Sequence, residues 1–354
     1  MFFEGDILSG RYRLIKTLSH GGMGAVWLAE DSVLSRIVAI KTVNLNMIES
    51  NPNVLMIFHD EAKIGASLLG HPHVVAVLDY GTHRMDENKA AHFIAMEYIE
   101  GINVATFINQ VKPIIDEETY YNISLLIASE MGKAIDYAHK RGILHRDIKP
   151  LNVFISKYGI TKVGDFGLAR LVNAMTRTHT VSNFSSPSYC APEQWKNEKY
   201  ETTSDIYQFG CTLFHLFTGK YIFEKPVPAL IYAHLNEKPR APKDLCPYMQ
   251  EELSTLILEM VSKEGNDRPS LWQLNDILAK ELHKVFKFYI TVDKDDKEAI
   301  DKICEVTDGS GDALRNEGEL MYFDFNDILS EALQLILNDI TTIHITASKE
   351  SEKP

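Results

Sequence analysis

Apolar residues change their spacing near position 99 of this 354-residue chain, and that change bounds the fold. Before it they fall in strand-like runs, "RYRLIKTL", "GAVWLAE", "RIVAIKTV", "VVAVLDYG" and "HFIAMEYI", broken by one stripe of helical spacing from about Pro52 to Leu69. From Asn103 to about Lys284 the spacing is helical, clearest in "ETYYNISLLIASEMGKAIDYAHKRG" and "SDIYQFGCTLFHLFTG". Strands and helices bury their apolar faces at different periods, so a chain divided in this way predicts a small sheet-based lobe followed by a larger helical one. After "HKVFKFYITVDKDDKEAIDKICEV" the order becomes strand, helix, strand ("GELMYFDF"), helix ("NDILSEALQLILND") and strand ("ITTIHITA"), then a polar tail "SKESEKP". The predicted architecture is α+β, with a β-rich lobe over 1–99, an α-helical lobe over 100–284 and a small α/β unit over 287–354.

Charge and cysteine usage narrow the function classes. A formal net charge of −13 and a pI near 5.5 argue against nucleic acid or an anionic membrane surface as partner, since both attract basic proteins. The four cysteines, Cys190, Cys211, Cys246 and Cys304, are scattered with no CxxC pair, so neither a zinc site nor a disulfide framework is indicated. They read as reduced thiols of a cytoplasmic protein. "MFFEGDILSG" is too short and acidic for a signal peptide, and no apolar run is long enough for a membrane span.

Within the first strands, "LSHGGMGAVWLAED" places Gly21, Gly22 and Gly24 around one methionine. Bare backbone of this kind suits a hairpin turn, and it equally suits a loop whose N–H groups face phosphate oxygens. "VAIK" follows one strand later. Lys41, embedded in an apolar strand, must be buried and therefore paired with something anionic.

"VAIK", "HRDIKPLN", "DFG" and "APE" occur in that order and at the usual intervals, so the region from Arg11 to about Lys284 resembles the eukaryotic-type protein kinases, most closely the bacterial serine/threonine kinases. The resemblance implies the bilobal kinase fold, ATP with Mg²⁺ (or Mn²⁺), and protein substrates. It assigns Leu18, Ser19, Gly21, Gly22 and Gly24 to the loop over ATP, with Ser19 in place of the usual first glycine. Val26 and Ala39 would cover the adenine from above and Phe154 from below, and the backbone of Glu97 and Ile99 would bind its edge. Lys41 would hold the phosphates with Glu61 as its helix partner. Asp147 would orient the substrate hydroxyl, Lys149 would offset charge on the transferred group, and Asn152 and Asp165 would bind the metal through oxygen. Lysine after "HRDI" implies serine or threonine acceptors. His145 would pack beneath Asp165, Glu193 and Arg268 would form a buried ion pair, Asp205 would brace the catalytic loop, and Cys190 would be a packing residue. Thr178 and Thr180, with Thr176 as a further candidate, would accept an activating autophosphorylation whose phosphate pairs with Arg146, in trans within a homodimer.

Departures from the family pattern lie where the substrate would meet the enzyme. Ser185 and Ser186 replace the usual glycine-threonine pair, Ser186 keeping a hydroxyl to bridge Asp147 and Lys149. Leu151 stands where basic-directed kinases often carry glutamate. Two other classes share parts of the pattern. A pseudokinase binding module would be expected to lose Lys41, Asp147 or Asp165, and a small-molecule phosphotransferase normally lacks the segment ending in "APE". The residues from Lys287 onward carry 16 acidic against 7 basic side chains, most of the net negative charge, and read as a brace, a docking surface or a sensor.

Overall fold

The computed structural model describes residues 2–21, 24–51, 53–86, 89–166, 186–293, 313–317, 320–324 and 344–349. It divides into two compact units, Met1–Asn275 and Asp276–Pro354, so the division falls inside a helix, ahead of the 284–287 boundary read from the sequence.

The first unit begins with a six-stranded antiparallel sheet in the order β1-β2-β3-β4-β6-β5. Its strands are β1 (Ile7–Leu8), β2 (Tyr12–Gly21), β3 (Gly24–Asp31), β4 (Arg36–Val43), β5 (Val77–Arg84) and β6 (Ala90–Glu97). Alternation sends Ala25, Trp27 and Ala29 of β3 and Val38 and Ile40 of β4 into a cluster with Leu8, Tyr12, Leu14 and Phe93. Val43 of β4 and Ile94 of β6 instead pack with Val54, Ile57, Phe58 and Ala62 of a helix. That helix, α2 (Asn53–Ser67), follows the short α1 (Leu45–Ser50) and buries residues at i, i+3, i+4, i+7 and i+8 from Val54, a stripe that includes Glu61. The strand expected at "VVAV" starts only at Val77. Before it, Val75 donates to the Val163 carbonyl and Val163 to the His73 carbonyl, tying this stretch to the helical lobe.

The helical lobe contains α3 (Glu117–His139), whose first turn is capped by the Asp116 carboxylate on the Thr119 N–H, and α4 (Thr202–Thr218), which ends at Gly219 in the left-handed conformation, φ 74°. From Ser204 to Thr218 every residue of α4 is buried, so this helix forms the centre of the lobe. The helices α5 (Val227–Asn236), α6 (Glu251–Met260) and α7 (Leu271–Val285) follow. Three strands lie in the region read as helical: β7 (Gly101–Asn103), β8 (Val153–Ser156) and β9 (Thr161–Val163), paired antiparallel in that order. At three or four residues they are too short to show a period.

In the second unit β10 (Phe286–Asp293), β11 (Ala313–Glu317), β12 (Leu320–Asp324) and β13 (His344–Lys349) form an antiparallel sheet, order β11-β12-β10-β13. β11 has no counterpart in the sequence reading, and the two expected helices lie outside the described residues.

Candidate active site

Two periodicities meet at Lys41. Strand alternation turns it to the face of β4 that α2 covers, and helical spacing brings Glu61 to the same layer. Its Nζ lies 2.6 Å from Glu61 Oε1 and 2.8 Å from Asp165 Oδ1, with only 12% of the side chain exposed. Burial works against the ammonium charge, but Asp165 and Glu61 outweigh it and hold Lys41 above its ordinary range. The same burial, with the nearby Asp165 charge, pushes the Glu61 carboxyl up to about 7 against the pull of Lys41. Glu61 Oε2 is buried and has no hydrogen-bond partner among the described residues.

Asp165 follows β9 at φ +59°, unusual for a residue with a Cβ. The turn before it is fixed from several sides: the Gly164 N–H donates to the Asn152 carbonyl at 2.9 Å, and His145 Nε2 bonds the Gly164 carbonyl at 3.0 Å. A Cβ on Gly164 would stand 3.0 Å from the Phe154 ring, so a side chain there would crowd that ring. The His145 ring is fully buried, lies 4.5 Å from Phe166 between centroids, and is kept neutral by that burial. Its contacts are thus with the residues on either side of Asp165.

Asp147, Lys149 and Asn152 converge in one loop. Lys149 Nζ donates to Asp147 Oδ2 at 2.6 Å, and Asn152 Nδ2 donates to the Asp147 carbonyl at 2.8 Å and to Oδ2 at 3.2 Å. Among the described residues the Ser186 hydroxyl bonds neither Asp147 nor Lys149; the lysine reaches the aspartate directly. The loop is pinned by α4. Asp205 accepts from the backbone N–H groups of His145 and Arg146, both at 2.8 Å, Gln208 accepts from the Ile148 N–H at 2.9 Å and donates to the Arg146 carbonyl, and Thr212 donates to the Ile148 carbonyl. Asp205, Gln208 and Thr212 share one helix face. His139 Nε2 at 2.7 Å and the Tyr200 hydroxyl at 2.5 Å complete the bonds to Asp205. Of this group the sequence reading named only Asp205; the polar stripe at i, i+3 and i+7 in an otherwise apolar helix was the signal for Gln208 and Thr212. Arg146 is held at φ +73°, directly before Asp147.

The residues expected to bind the nucleotide are spread over several elements. Val26 pairs with Lys41 across β3 and β4, Ala39 shares the Lys41 face, and Phe154 lies on β8. The Glu97 N–H donates to the Ala76 carbonyl, so the backbone group it could offer a ligand is its carbonyl, and its carboxylate Oε1 accepts from the Ala76 N–H and Lys162. The Ile99 N–H is bonded to nothing among the described residues. Gly24 has a structural reason to be glycine: at φ 152° a Cβ would lie 1.8 Å from the Thr42 carbonyl oxygen. Around Gly21, opposite it in the hairpin, a Cβ would meet nothing within 4 Å. Leu18 and Ser19 are exposed on β2, and Gly22 lies outside the described residues.

Arg268, fully buried, grips Glu193 through Nη1 at 2.7 Å and Nη2 at 2.9 Å. Burial alone would raise the Glu193 carboxyl, but the guanidinium holds it below its ordinary value. Burial pushes the Cys190 thiol up, leaving a packing group rather than a nucleophile. Thr176, Thr178, Thr180 and Ser185 lie outside the described residues.

The two lobes bring Lys41, Glu61 and Asp165 into one cluster, and the loop of Asp147, Lys149 and Asn152 is pinned by the buried Asp205. The protein kinase domain family matches residues 12–282, and the chain belongs to that family, whose members use ATP and a divalent metal. A probable serine/threonine-protein kinase of Streptomyces coelicolor is 36% identical over 266 residues, 74% of this chain and 38% of its own length. Serine/threonine-protein kinase PrkC of Bacillus subtilis is 35% identical over 261 residues, 73% of this chain and 38% of its own. The chain thus matches less than half the length of these relatives. In fold it is similar to the PknI kinase domain of Mycobacterium tuberculosis, with a TM-score of 0.60 and 24% identity over 79% of this chain and 99% of that one. No described helix is long and apolar enough to cross a membrane.

Proposed function

We propose that the chain is an ATP-dependent protein serine/threonine kinase that uses Mg²⁺ or Mn²⁺. The observation that carries this reading is the convergence of Lys41, Glu61 and Asp165 with the Asp147–Lys149–Asn152 loop in one unit. Lys41 serves the phosphates of the nucleotide. Asp147 orients the acceptor hydroxyl and takes its proton, and Lys149, bonded to it, offsets charge on the transferred group.

The donor set suits a hard cation. Asn152 turns its amide nitrogen to Asp147, which puts its oxygen on the opposite side, and Asp165 adds a carboxylate; two protein oxygens are enough for Mg²⁺, which completes its shell from phosphate and water. When bound, the metal neutralises phosphate charge.

Autophosphorylation at Thr178 and Thr180, in trans between two copies and in a cytoplasmic setting, belongs to the same proposal. Its support is Arg146, held beside the base by Asp205 and Gln208, where a phosphate would couple the segment to the loop. Transfer of label from γ-labelled ATP to the protein itself and to a generic basic protein tests the activity, with Asp147→Asn as the dead control. Label that persists in Asp147→Asn overturns the assignment of the base. Phosphate absent from both threonines in the active enzyme overturns the self-activation.

A further inference from the structure

A single side-chain amide bonds both peptide groups that flank Asp147. Gln208 of α4, 3% exposed, accepts from the Ile148 N–H through Oε1 at 2.9 Å and donates from Nε2 to the Arg146 carbonyl at 3.2 Å. The two bonds need opposite ends of the amide, so its orientation is fixed. The same nitrogen also donates to Gln194 Oε1 at 3.0 Å. Gln194 belongs to another piece of chain, the short helical turn Pro192–Trp195, and its Oε1 accepts in addition from the Ala191 N–H at 2.9 Å.

That turn has fastenings of its own. Glu193, the residue before Gln194, is held by Arg268 at 2.7 and 2.9 Å, and Arg268 donates to the Thr203 carbonyl in the first turn of α4 at 2.8 Å. Earlier in the same segment the Tyr189 hydroxyl meets Nδ1 of His215, on α4, at 2.7 Å. The segment also runs beside the base, since the charges of Asp147 and Lys149 both reach Cys190. Gln194 Oε1 is thus presented to Gln208 from a turn whose position is set independently of the base loop.

We propose that Gln194 is a positioning residue for phosphoryl transfer, acting on Asp147 through Gln208 and tying the placement of the base to that of segment 186–194. The proposal rests on the kinase function given above. What Gln194 supplies is an acceptor, because both bonds to its side chain end on Oε1. A thioether is a weak acceptor, so Met keeps the length of the side chain and loses both bonds, whereas a Glu oxygen takes them as the amide oxygen does. Packing alone would rank the two replacements in reverse, because Met stays apolar and Glu brings a charge to a partly buried position.

Full-length Gln194→Met, Gln194→Glu, Gln208→Met and the double variant Gln194→Met/Gln208→Met are assayed for transfer from ATP to a generic basic protein, with Asp147→Asn as the dead control. Hydrogen–deuterium exchange is followed in the peptide that contains Ile148. Gln194→Met should lower kcat about threefold to tenfold, the worth of one hydrogen bond, and leave the KM for ATP as it is, because Lys41, Glu61 and Asp165 are untouched. Gln194→Glu should stay within about twofold of the parent. Once Gln208 is Met, the change at Gln194 should cost nothing further, since the route to Asp147 is gone. Exchange in the Ile148 peptide should quicken in Gln194→Met and stay at the parent rate in Gln194→Glu. A Met variant as active as the parent, a Glu variant as impaired as Met, or losses that multiply in the double variant overturns the proposal. A parent that transfers no phosphate, or an Asp147→Asn variant that still does, refutes the kinase reading rather than the link, which unchanged exchange in Gln194→Met overturns by itself.

Discussion

Asp205→Ala is the substitution by which α4 can be shown to hold the base loop. The carboxylate accepts four bonds, two of them from the backbone N–H groups of the fully buried His145 and the partly buried Arg146. A buried donor left without its acceptor costs about 1–3 kcal/mol, so the two amides together cost about 2–6 kcal/mol. Arg146 at φ +73° is itself strained, and letting it relax returns about 1–3 kcal/mol. A net loss of about 3 kcal/mol is expected, a fall in melting temperature of roughly 10 °C for a unit of this size. Relaxation of Arg146 moves Asp147, the next residue, and a displacement of about 1 Å lowers turnover about a hundredfold. Asp205→Asn, which keeps one accepting oxygen and turns an NH₂ toward the other donors, should fall between. The bonds from His139 and Tyr200 overcome the burial that would otherwise raise this carboxyl and hold its pKa below the ordinary value, so the native contribution is complete above about pH 4 and is lost only as acid protonates the folded group. Thermal melts read against kcat and the KM for ATP separate the effects. An alanine variant that melts within about 2 °C of the parent and keeps its turnover would refute the reasoning.

Lys41→Met should abolish phosphate transfer and, because it leaves the buried Glu61 and Asp165 without their cation, also lower the melting temperature; activity within about tenfold of the parent would remove this lysine from the mechanism. Gly24→Ala should lower stability by about 2–4 kcal/mol, because its Cβ would overlap the Thr42 carbonyl, whereas Gly21→Ala should melt normally and raise the KM for ATP. The reverse pattern would show that the hairpin is not shaped this way. Glu61, with its carboxyl raised from 4.5 to about 7, keeps a proton in the folded protein that the unfolded chain has released, so its contribution makes stability fall as pH rises through that window. Glu61→Gln should flatten the stability profile there, and an unchanged slope from chemical denaturation would count against the buried pair.

What the sequence made legible were groups that announce themselves by contrast. Lys41 is a charge in an apolar strand and so demanded an anionic partner; that the partner is Glu61 came only with the family resemblance, and the structure meets it through alternation on β4 and the buried stripe of α2. The order of "VAIK", "HRDIKPLN", "DFG" and "APE" brought the lobes and their joint site with it. Less visible were strands β7, β8 and β9, too short for a period, and the loss of "VVAV" to contacts with β9, which only the meeting of the lobes decides. Gly24 looked like part of a ligand loop, yet the nearest demand on it is the Thr42 carbonyl. His139 and Tyr200 were not legible at all, because both reach Asp205 from outside its helix face.

The site has a common construction: each group to which the proposed function gives a chemical role is held by a residue to which it gives none. Glu61 holds Lys41, the Gly164 turn that carries Asp165 is bonded by His145, and Asp205, Gln208 and Thr212 hold the backbone on both sides of Asp147. Two of the supported positions, Arg146 and Asp165, have positive φ, a conformation that a residue with a Cβ leaves when its bonds are removed. His145 joins them, since its N–H goes to Asp205 and its ring to the Gly164 carbonyl. Strain at Arg146, next to the proposed base, and strain at Asp165, the proposed metal ligand, therefore rest on one buried network anchored in α4. Damage to that helix face should disturb both positions together, whereas damage to Lys41 or Glu61 should leave the base loop as it is.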